Sequence, residues 1–290
     1  MKSWLDVLQA LYQGSWSPGL QRYRSPFAFR GLPLGDLSLA SSLVRLSAPD
    51  ARQRDVRRLE LSLLRNFRKY AHAEAHGTDS IWDWLALGQH RGLPTRLLDW
   101  TYSPLVALHF ATESPVRFDE DGVVWCVNFV EANKRLPKLL QRILQAEGSD
   151  TFTVEMLGRF ETLRAFDALS RQPFVVFLEP PAIDRRILNQ HALFSLMSSP
   201  TETLDEWLQE HPRLCRRVEI PAALKWEIRD KLDQANVNER VLFPGLDGLS
   251  RWLARYYMPT SRRYPVRADV PAPARERARQ TRPPVRRRIR

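Results

Sequence analysis

The spacing of hydrophobic residues predicts a chain of many short helices separated by strands. The clearest helical pattern covers residues 50–71, where apolar side chains recur at steps of three and four: Val56, Leu59, Leu63, Phe67 and Tyr70. Ser103 followed by Pro104 is typical of a helix start and predicts a helix to about residue 112. Further helices are predicted over residues 3–12, 79–90 (capped by Asp79), 134–146, 151–169, 221–235 and 245–257.

Runs of β-branched and aromatic residues predict the strands. They cover residues 26–32, 123–130, 174–178, 186–197 and 215–220. Within 123–130 both alternating faces are apolar, which indicates a strand buried on both sides. Because helices and strands follow one another without regular alternation, we expect an α+β fold. Its core is a mixed sheet of about five to six strands flanked by helices.

Charge divides the chain into two unequal parts. Residues 261–290 hold eleven Arg, two acids and five Pro, so they carry +9 of the chain's +11 net charge. A segment of this composition buries too little apolar surface to offset its ordering entropy. We therefore predict an N-terminal helix over residues 1–19, a globular domain over 20–258 and a disordered Arg/Pro-rich tail over 259–290.

Composition limits the class of protein. The chain has 290 residues, 43% of them hydrophobic, which is enough for a substantial core. No apolar run approaches the roughly 18 residues of a membrane span, and Asp6 falls where a signal peptide is apolar. Cys126 and Cys215 lack partners at metal-ligand spacing, so we expect neither a disulfide framework nor a zinc site. These features predict a cytoplasmic protein without membrane contact.

The most informative segment is residues 89–111, which mixes polar donors with strongly apolar residues. It contains Gln, two His, two Arg, Asp and Thr among Leu, Trp, Val and Phe. Since a buried polar group without a partner costs roughly 1–3 kcal/mol, this mixture indicates a site or a fixed polar network. The chain contains no Gly-rich phosphate loop, Gly-x-Ser-x-Gly elbow or His-Glu-x-x-His motif, so nothing supports a P-loop, hydrolase or zincin function.

Four motifs resemble the FRG-domain family, which is named for its Phe-Arg-Gly sequence. They are Phe29-Arg30-Gly31, the block from Gln89 to Ala111, the segment 186–194 and the segment 242–249. The resemblance spans about residues 20–255, and the run Gln-His-x-Gly-Leu-Pro-Thr-Arg-Leu-Leu-Asp-Trp-Thr is highly specific. Departures are mild: Arg91 replaces a usual aromatic and Ala192 replaces a usual Gly. The resemblance implies a bacterial or phage-associated protein linked to defence or toxin loci.

The order of these motifs also resembles the layout of ADP-ribosyltransferases. Arg30 corresponds to the Arg of a first strand, and Thr101 to the Ser/Thr of a strand that leads into a helix with an aromatic-Ala pair. Gln190 falls where that layout has a late Glu or Gln. The resemblance implies an ADP-ribosyltransferase-like fold, NAD as co-substrate and Arg30, Thr101 and Gln190 as catalytic residues.

The implied chemistry requires particular side chains around NAD. An Arg suits a diphosphate or a carboxamide, and Thr101 is placed to hydrogen-bond the nicotinamide ribose. Because Gln190 carries no charge, a carboxylate such as Asp99, Glu179 or Glu219 must stabilise the developing positive charge, or catalysis is weak or absent. The candidate cofactor-binding residues are Arg30, Gly31, His90, Thr95, Arg96, Asp99 and Thr101.

Several of these candidates also have a purely structural interpretation. The alternatives are an ion pair of Arg30 with Asp99 or Asp247, a C-terminal helix cap by His90, an ion pair between Arg96 and Asp99, a core position for His109, and a hydrogen bond of Gln190 across the sheet.

The arginines of the tail predict contact with nucleic-acid phosphates, without sequence specificity because no aromatics are interleaved. The residues are Arg275, Arg277, Arg279, Arg282, Arg286, Arg287, Arg288 and Arg290. A solubilising tail or a contact with an acidic partner is the alternative. Two hypotheses follow for the whole chain. One is an ADP-ribosyltransferase-like toxin or anti-phage effector, with an antitoxin or defence-system partner. The other is a non-catalytic FRG ligand-binding module whose tail binds nucleic acid.

Overall fold

The computed structural model describes residues 1–48, 50–72 and 80–259. Within them the helices are α1 (Trp4–Tyr12), α2 (Ser42–Leu46), α3 (Gln53–Ala71), α4 (Ile81–His90), α5 (Pro104–Ala111), α6 (Phe129–Asn133), α7 (Lys138–Glu147), α8 (Val154–Leu157), α9 (Leu163–Asp167), α10 (Arg185–Asn189), α11 (Leu204–Gln209), α12 (Lys225–Gln234), α13 (Glu239–Leu242) and α14 (Leu246–Tyr256). The strands are β1 (Trp16–Ser17), β2 (Arg22–Tyr23), β3 (Phe27–Leu32), β4 (Leu97–Thr101), β5 (Gly122–Asn128), β6 (Val175–Leu178), β7 (Ala192–Met197) and β8 (Cys215–Ile220).

Six strands form the central sheet, in the order β6-β7-β4-β3-β5-β8, while β1 and β2 pair as a small hairpin. The α+β class and the number of strands are therefore confirmed. The expectation of a mixed sheet is wrong, since all five ladders of this sheet are antiparallel in the described part of the chain. Strands joined by long helical connections can return to the sheet in either direction, so the order of elements did not determine this.

The sheet is covered on both faces. Alternation along the strands sends Leu98 and Val123 to one face, where they pack with α6 and α11. Their neighbours Leu97 and Val124 point to the other face, which carries two separate clusters. One cluster packs β6, β7 and β4 against α4, α7 and α9. The other packs β3, β5 and β8 against α1, α5 and α12.

The sheet opens between its two central strands. In the described residues, β3 and β4 share a single registered pair, Phe29 with Thr101. By contrast, β3 pairs with β5 over six residues and β4 with β7 over five. The two apolar clusters of one face lie on either side of this opening.

Some element boundaries differ from those predicted. The predicted strand over residues 186–197 begins as helix α10, because the Asp184 side chain accepts hydrogen bonds from the Arg186 and Ile187 amides and starts a helix there. The strand over 123–130 ends at Asn128, which caps α6. The predicted helix over 151–169 forms two short helices, α8 and α9. Strand β4 was implied only by the resemblance, not by the hydrophobic pattern.

Helix α4 begins at a capping box formed by Ser80 and Asp83. The predicted cap, Asp79, lies outside the described residues.

Residues Met1–Met258 form one structural unit, held together by contacts among its elements. Helix α1 contributes Val7 and Leu11 to its core. The tail predicted over 259–290 lies, beyond Pro259, outside the described residues. In the part of the chain that is described, no helix has the length and apolar character needed to span a bilayer.

Candidate functional site

A cleft of about 240 Å³ lies where β3 and β4 separate. It brings together residues that are far apart in the sequence and that come from β3, α4, β4, α5, α10 and β7. Six of the predicted site residues line it: Arg30, Gly31, His90, Asp99, Thr101 and Gln190.

Arg30 bridges the opening between the two central strands. Its Nη1 donates a hydrogen bond of 2.5 Å to the backbone carbonyl of Asp99, and its buried Nε has no hydrogen-bond partner among the described residues. Neither predicted ion pair, with the carboxylate of Asp99 or of Asp247, is formed. Burial, and to a lesser degree the charge of Arg45, lowers the pKa of Arg30, although Asp99 and Glu113 oppose the shift. The cleft thus contains a guanidinium without a bound carboxylate, which suits an anionic or carbonyl-bearing ligand.

Gly31 is required by packing. A Cβ at this position would lie 1.8 Å from the Ala107 carbonyl oxygen and 2.6 Å from the Ala111 amide nitrogen. Helix α5 therefore rests directly on the backbone of β3, which holds the end of the helix, with Phe110, beside the cleft. This close contact explains the Gly that follows Arg30.

The Asp99 carboxylate is exposed and held from behind by a chain of hydrogen bonds. Gln89 Nε2 donates to Asp99 Oδ2 at 2.9 Å, and Thr95 Oγ1 donates to Gln89 Oε1 at 2.6 Å. The Ser42 hydroxyl accepts from the Thr95 amide at 3.0 Å. Thr95, which was predicted to contact a cofactor, does not line the cleft. Its hydroxyl instead orients the Gln89 side chain.

Thr101 and Gln190 meet at the end of β4. Thr101 Oγ1 donates to the Gln190 carbonyl at 2.7 Å and accepts from the Ser103 amide at 3.0 Å. The Thr101 hydroxyl hydrogen is therefore engaged with the backbone. Gln190 Nε2 donates to the Leu242 carbonyl at 3.0 Å, which leaves Oε1 as its free acceptor among the described residues.

The segments 186–194 and 242–249, which both resemble the family motifs, contact each other close to Gln190. Asn189 Nδ2 donates to the Val241 carbonyl at 2.7 Å, beside the Gln190–Leu242 bond. His191 follows with a φ of 47°, in the left-handed region, and its carbonyl accepts from the Tyr102 amide at 3.1 Å. These bonds fix Gln190 at the edge of the cleft.

His90 forms a short contact with Asp184. The distance from His90 Nε2 to Asp184 Oδ2 is 2.6 Å, and the His90 side chain is 7% exposed. Although burial alone raises the pKa of Asp184, hydrogen bonds from His90 and the backbone outweigh it, and the pKa lies below its usual value. His90 is thus held at the cleft by a carboxylate that also caps α10.

Several residues that line the cleft are not among the predicted site residues. Glu113 adds a second carboxylate, and burial raises its pKa despite the nearby Arg229 and Arg251. Phe110 adds aromatic surface, whereas Phe29 and Phe194, which also border the cleft, are almost completely buried. Glu113 lies two residues after the end of α5, and the Phe110-Ala111 pair at the end of that helix was the available signal for it.

Three other candidates are placed elsewhere. Arg96 is buried, and its guanidinium binds the carboxylates of Glu60 and Asp167 rather than that of Asp99. It does not line the cleft, so neither its predicted role there nor its predicted ion pair matches its position. Of the proposed carboxylates, Glu179 accepts a hydrogen bond from Tyr102 at 2.7 Å, away from the cleft. Glu219 lies on the edge strand β8, also away from it.

His109 is fully buried, as the structural interpretation predicted. Its Nδ1 lies 2.7 Å from Arg229 Nη1, and burial together with the charge of Arg229 lowers its pKa to about 3. The residue is therefore neutral and belongs to the core behind Phe110.

The tail arginines from Arg275 to Arg290 lie outside the described residues, so their contact with nucleic acid stays a prediction. Across the residues that are described, there is no group of three or more His, Cys, Asp or Glu arranged to hold a metal ion.

Comparison with known proteins identifies part of the chain. No curated protein and no solved structure matches it. The model of the FRG domain family matches residues 25–120, a span that contains β3, α4, β4 and α5. The resemblance beyond residue 120 stays a prediction. The chain therefore carries an FRG domain over residues 25–120, as the Phe29-Arg30-Gly31 motif and the polar block predicted.

Proposed function

We propose that the cleft binds NAD and that the protein is an NAD-dependent enzyme resembling ADP-ribosyltransferases. One observation carries the proposal: Arg30, Thr101 and Gln190, which come from three adjacent strands or their ends, line a single cleft. These are the three positions that the layout of such enzymes requires. A chance convergence of three residues from distant parts of the chain is a weaker explanation.

The size of the cleft limits how NAD binds. About 240 Å³ is below the roughly 300–1,000 Å³ of clefts that enclose drug-sized ligands. It therefore accepts the nicotinamide riboside half, while the adenosine half extends over the mouth. The half-buried Phe110 ring offers surface to the nicotinamide, and Arg30 offers donors to the carboxamide or the adjacent phosphate.

The proposed reaction replaces one bond to the ribose with another. The bond between the ribose and the nicotinamide nitrogen breaks, and its electron pair neutralises the pyridinium. A lone pair of the acceptor forms the new bond at the same carbon, and the acceptor's proton passes to a base. Gln190 Oε1 accepts from a ribose hydroxyl, and Asp99 or Glu113 supplies the negative charge that stabilises the ribose cation.

Replacing Gln190 tests this assignment by gain of function. Gln190→Glu adds a carboxylate beside the ribose, so nicotinamide release from NAD should rise by about 10²-fold, the size of a single electrostatic contribution to catalysis. Nicotinamide release is measured by chromatography. Gln145→Glu, on the exposed face of α7, adds the same charge elsewhere and should leave the rate at the wild-type level.

Two further variants identify the native carboxylate. The variants are Asp99→Asn and Glu113→Gln. The one that removes the carboxylate stabilising the ribose cation should lower nicotinamide release by about 10²-fold. NAD binding, measured by calorimetry, should persist in that variant. Absence of NAD binding by the wild-type protein, together with no labelling of lysate by biotinylated NAD, would contradict the proposal.

The biological role that we propose is a toxin or anti-phage effector whose acceptor is nucleic acid or a protein associated with it. This role follows from the family resemblance and from the arginines at residues 275–290. Expression of the wild-type chain should slow bacterial growth, and Arg30→Ala should not. Equal toxicity of the two chains would contradict it.

A second candidate is a ligand-binding module without catalysis. The engagement of the Thr101 hydroxyl and the Gln190 amide by backbone groups favours it, because both then act as supports. In this case NAD or another small ligand binds, yet neither the wild type nor Gln190→Glu releases nicotinamide. Deletion of residues 261–290 should then abolish nucleic-acid binding while Thr101→Ala leaves it intact.

A further inference from the structure

A second cavity lies between α3 and α9 and shares no residue with the cleft. Its volume is about 550 Å³, within the range of small-molecule sites. Its charged lining consists of five arginines and two acids: Arg54, Arg57, Arg58, Arg96, Arg164, Glu60 and Asp167. The lining therefore has a surplus of three positive charges.

Every oxygen of the two carboxylates in this cavity accepts a hydrogen bond from an arginine of its lining. Each Glu60 oxygen accepts from Arg96, at 2.7 Å for Oε1. Asp167 accepts from Arg96 Nη1 at 2.7 Å and from Arg57 Nε at 3.1 Å. Arg96 and Glu60 are almost completely buried, so this network is a fixed wall of the cavity.

Besides Arg96, and Arg54, which pairs with Asp55, the three other arginines have N–H donors without a protein acceptor among the described residues. Arg58 and Arg164 are exposed and form no ion pair or hydrogen bond with the described residues. Arg57 uses only its Nε in the network, so its two terminal nitrogens have no protein acceptor among the described residues. Leu61 and Leu163 add apolar surface to the same cavity.

The positive surface continues along α3. Arg54 and Arg58 are followed on the helix by Arg65, Arg68 and Lys69, all exposed. At 1.5 Å per residue this row is about 22 Å long, and it begins at the cavity. Guanidinium groups match phosphate oxygens in pairs, and three surplus charges exceed what one carboxylate would balance.

From these observations we propose that the cavity between α3 and α9 is a second binding site, which takes a phosphate ester through Arg57, Arg58 and Arg164. Its phosphate comes either from a free nucleotide or from a nucleic-acid backbone that continues along α3. The site is independent of the proposed reaction in the cleft.

Two charge-matched double variants of the full chain test this site. Arg58→Gln/Arg164→Gln removes two cavity charges, whereas Arg22→Gln/Arg24→Gln removes two exposed charges near the β1–β2 hairpin. All four side chains are exposed, so both variants should melt like the wild type. The tail is present in every protein, so any difference between the two variants comes from the substituted residues.

The probes are pyrophosphate and ATP, followed by calorimetry, and a labelled single-stranded 12-nucleotide DNA, followed by fluorescence anisotropy. We expect the cavity variant to bind at least 10-fold more weakly than the control variant. If only the small phosphates lose affinity, the ligand is a free nucleotide. If the oligonucleotide also loses affinity, and its dependence on salt falls by about 1.4 in log–log slope for two lost phosphate contacts, the ligand is a nucleic-acid strand.

Equal losses in the two double variants would mean that net charge alone matters, and the site would be rejected. Unchanged binding of all three probes to the cavity variant would reject it as well.

Discussion

At the scale of single residues, the Phe-Arg-Gly motif combines two requirements. Arg30 places a guanidinium between β3 and β4, while Gly31 lets α5 contact the backbone of β3. The Arg30 side chain therefore acts in the cleft, and the missing side chain of Gly31 permits the packing of α5 on β3.

Gly31→Ala should destabilise the protein strongly. The added methyl group would meet the backbone of Ala107 and Ala111, which cannot move without displacing α5. We expect a loss of about 3 kcal/mol or more in the free energy of unfolding, at or above the upper end for overpacking. Urea denaturation measures it. Gly19→Ala, where no atom lies within 4 Å, is the control and should change stability by less than about 1 kcal/mol; equal effects at the two glycines would contradict this explanation.

His109 should make stability depend on pH. Its pKa is about 3 in the folded protein, against about 6.5 in an unfolded chain, so between these values the unfolded chain binds a proton that the folded one does not. Stability from this residue is complete above pH 6.5 and is lost as the pH falls, by roughly 1.4 kcal/mol per pH unit. The charged groups around it are Arg229, Glu239 and Arg255, and the pKa of Glu239, about 2, keeps that carboxylate ionised throughout.

Urea denaturation of wild type and His109→Asn at pH 7, 6 and 5 measures this effect. Asn keeps an acceptor for Arg229 but does not titrate. The variant should be less stable at pH 7 and show the smaller decline toward pH 5. Parallel declines would show that His109 is not the titrating group.

At the scale of elements, buried charge joins helices that the sequence separates. Arg96, just before β4, connects α3 through Glu60 to α9 through Asp167. Since all three side chains are shielded from water, each charge depends on the others. This network positions α3 and α9 on either side of the second cavity.

Glu60→Gln should therefore be costly. It leaves Arg96 with one carboxylate and an unfavourable contact with the new amide, so we expect a loss of about 3–5 kcal/mol. Thermal or chemical denaturation measures it. Glu120→Gln breaks the half-exposed pair with Arg117 and should cost no more than about 1 kcal/mol. A small effect at Glu60 would mean that the network is not a structural support.

At the scale of the whole molecule, the three apolar clusters lie within Met1–Met258. A chain that ends at Met258 should therefore unfold with a free energy within about 0.5 kcal/mol of the full chain. Denaturant titration of both chains measures this. A loss of several kcal/mol would show that later residues contribute to the core.

Much of the fold could be predicted because it depends on local patterns. The start of α5 follows from Ser103 and Pro104, whose side chain and ring suit the first turn. The paired strands β5 and β8 follow from their apolar and β-branched residues. Where two local tendencies competed, as at residues 186–190, the apolar residues predicted a strand but the cap at Asp184 produced α10.

The sequence by itself determined which residues were candidates for the site, because Arg30, Thr101 and Gln190 stand in motifs that resemble those of known families. Only the tertiary structure decided which of them share the cleft, because pairing between distant elements depends on packing. In the folded chain Glu113 lines the cleft, whereas Arg96 lies outside it and binds Glu60 and Asp167. A carboxylate can satisfy a buried guanidinium from any position in the chain, so local spacing alone could not identify the partner.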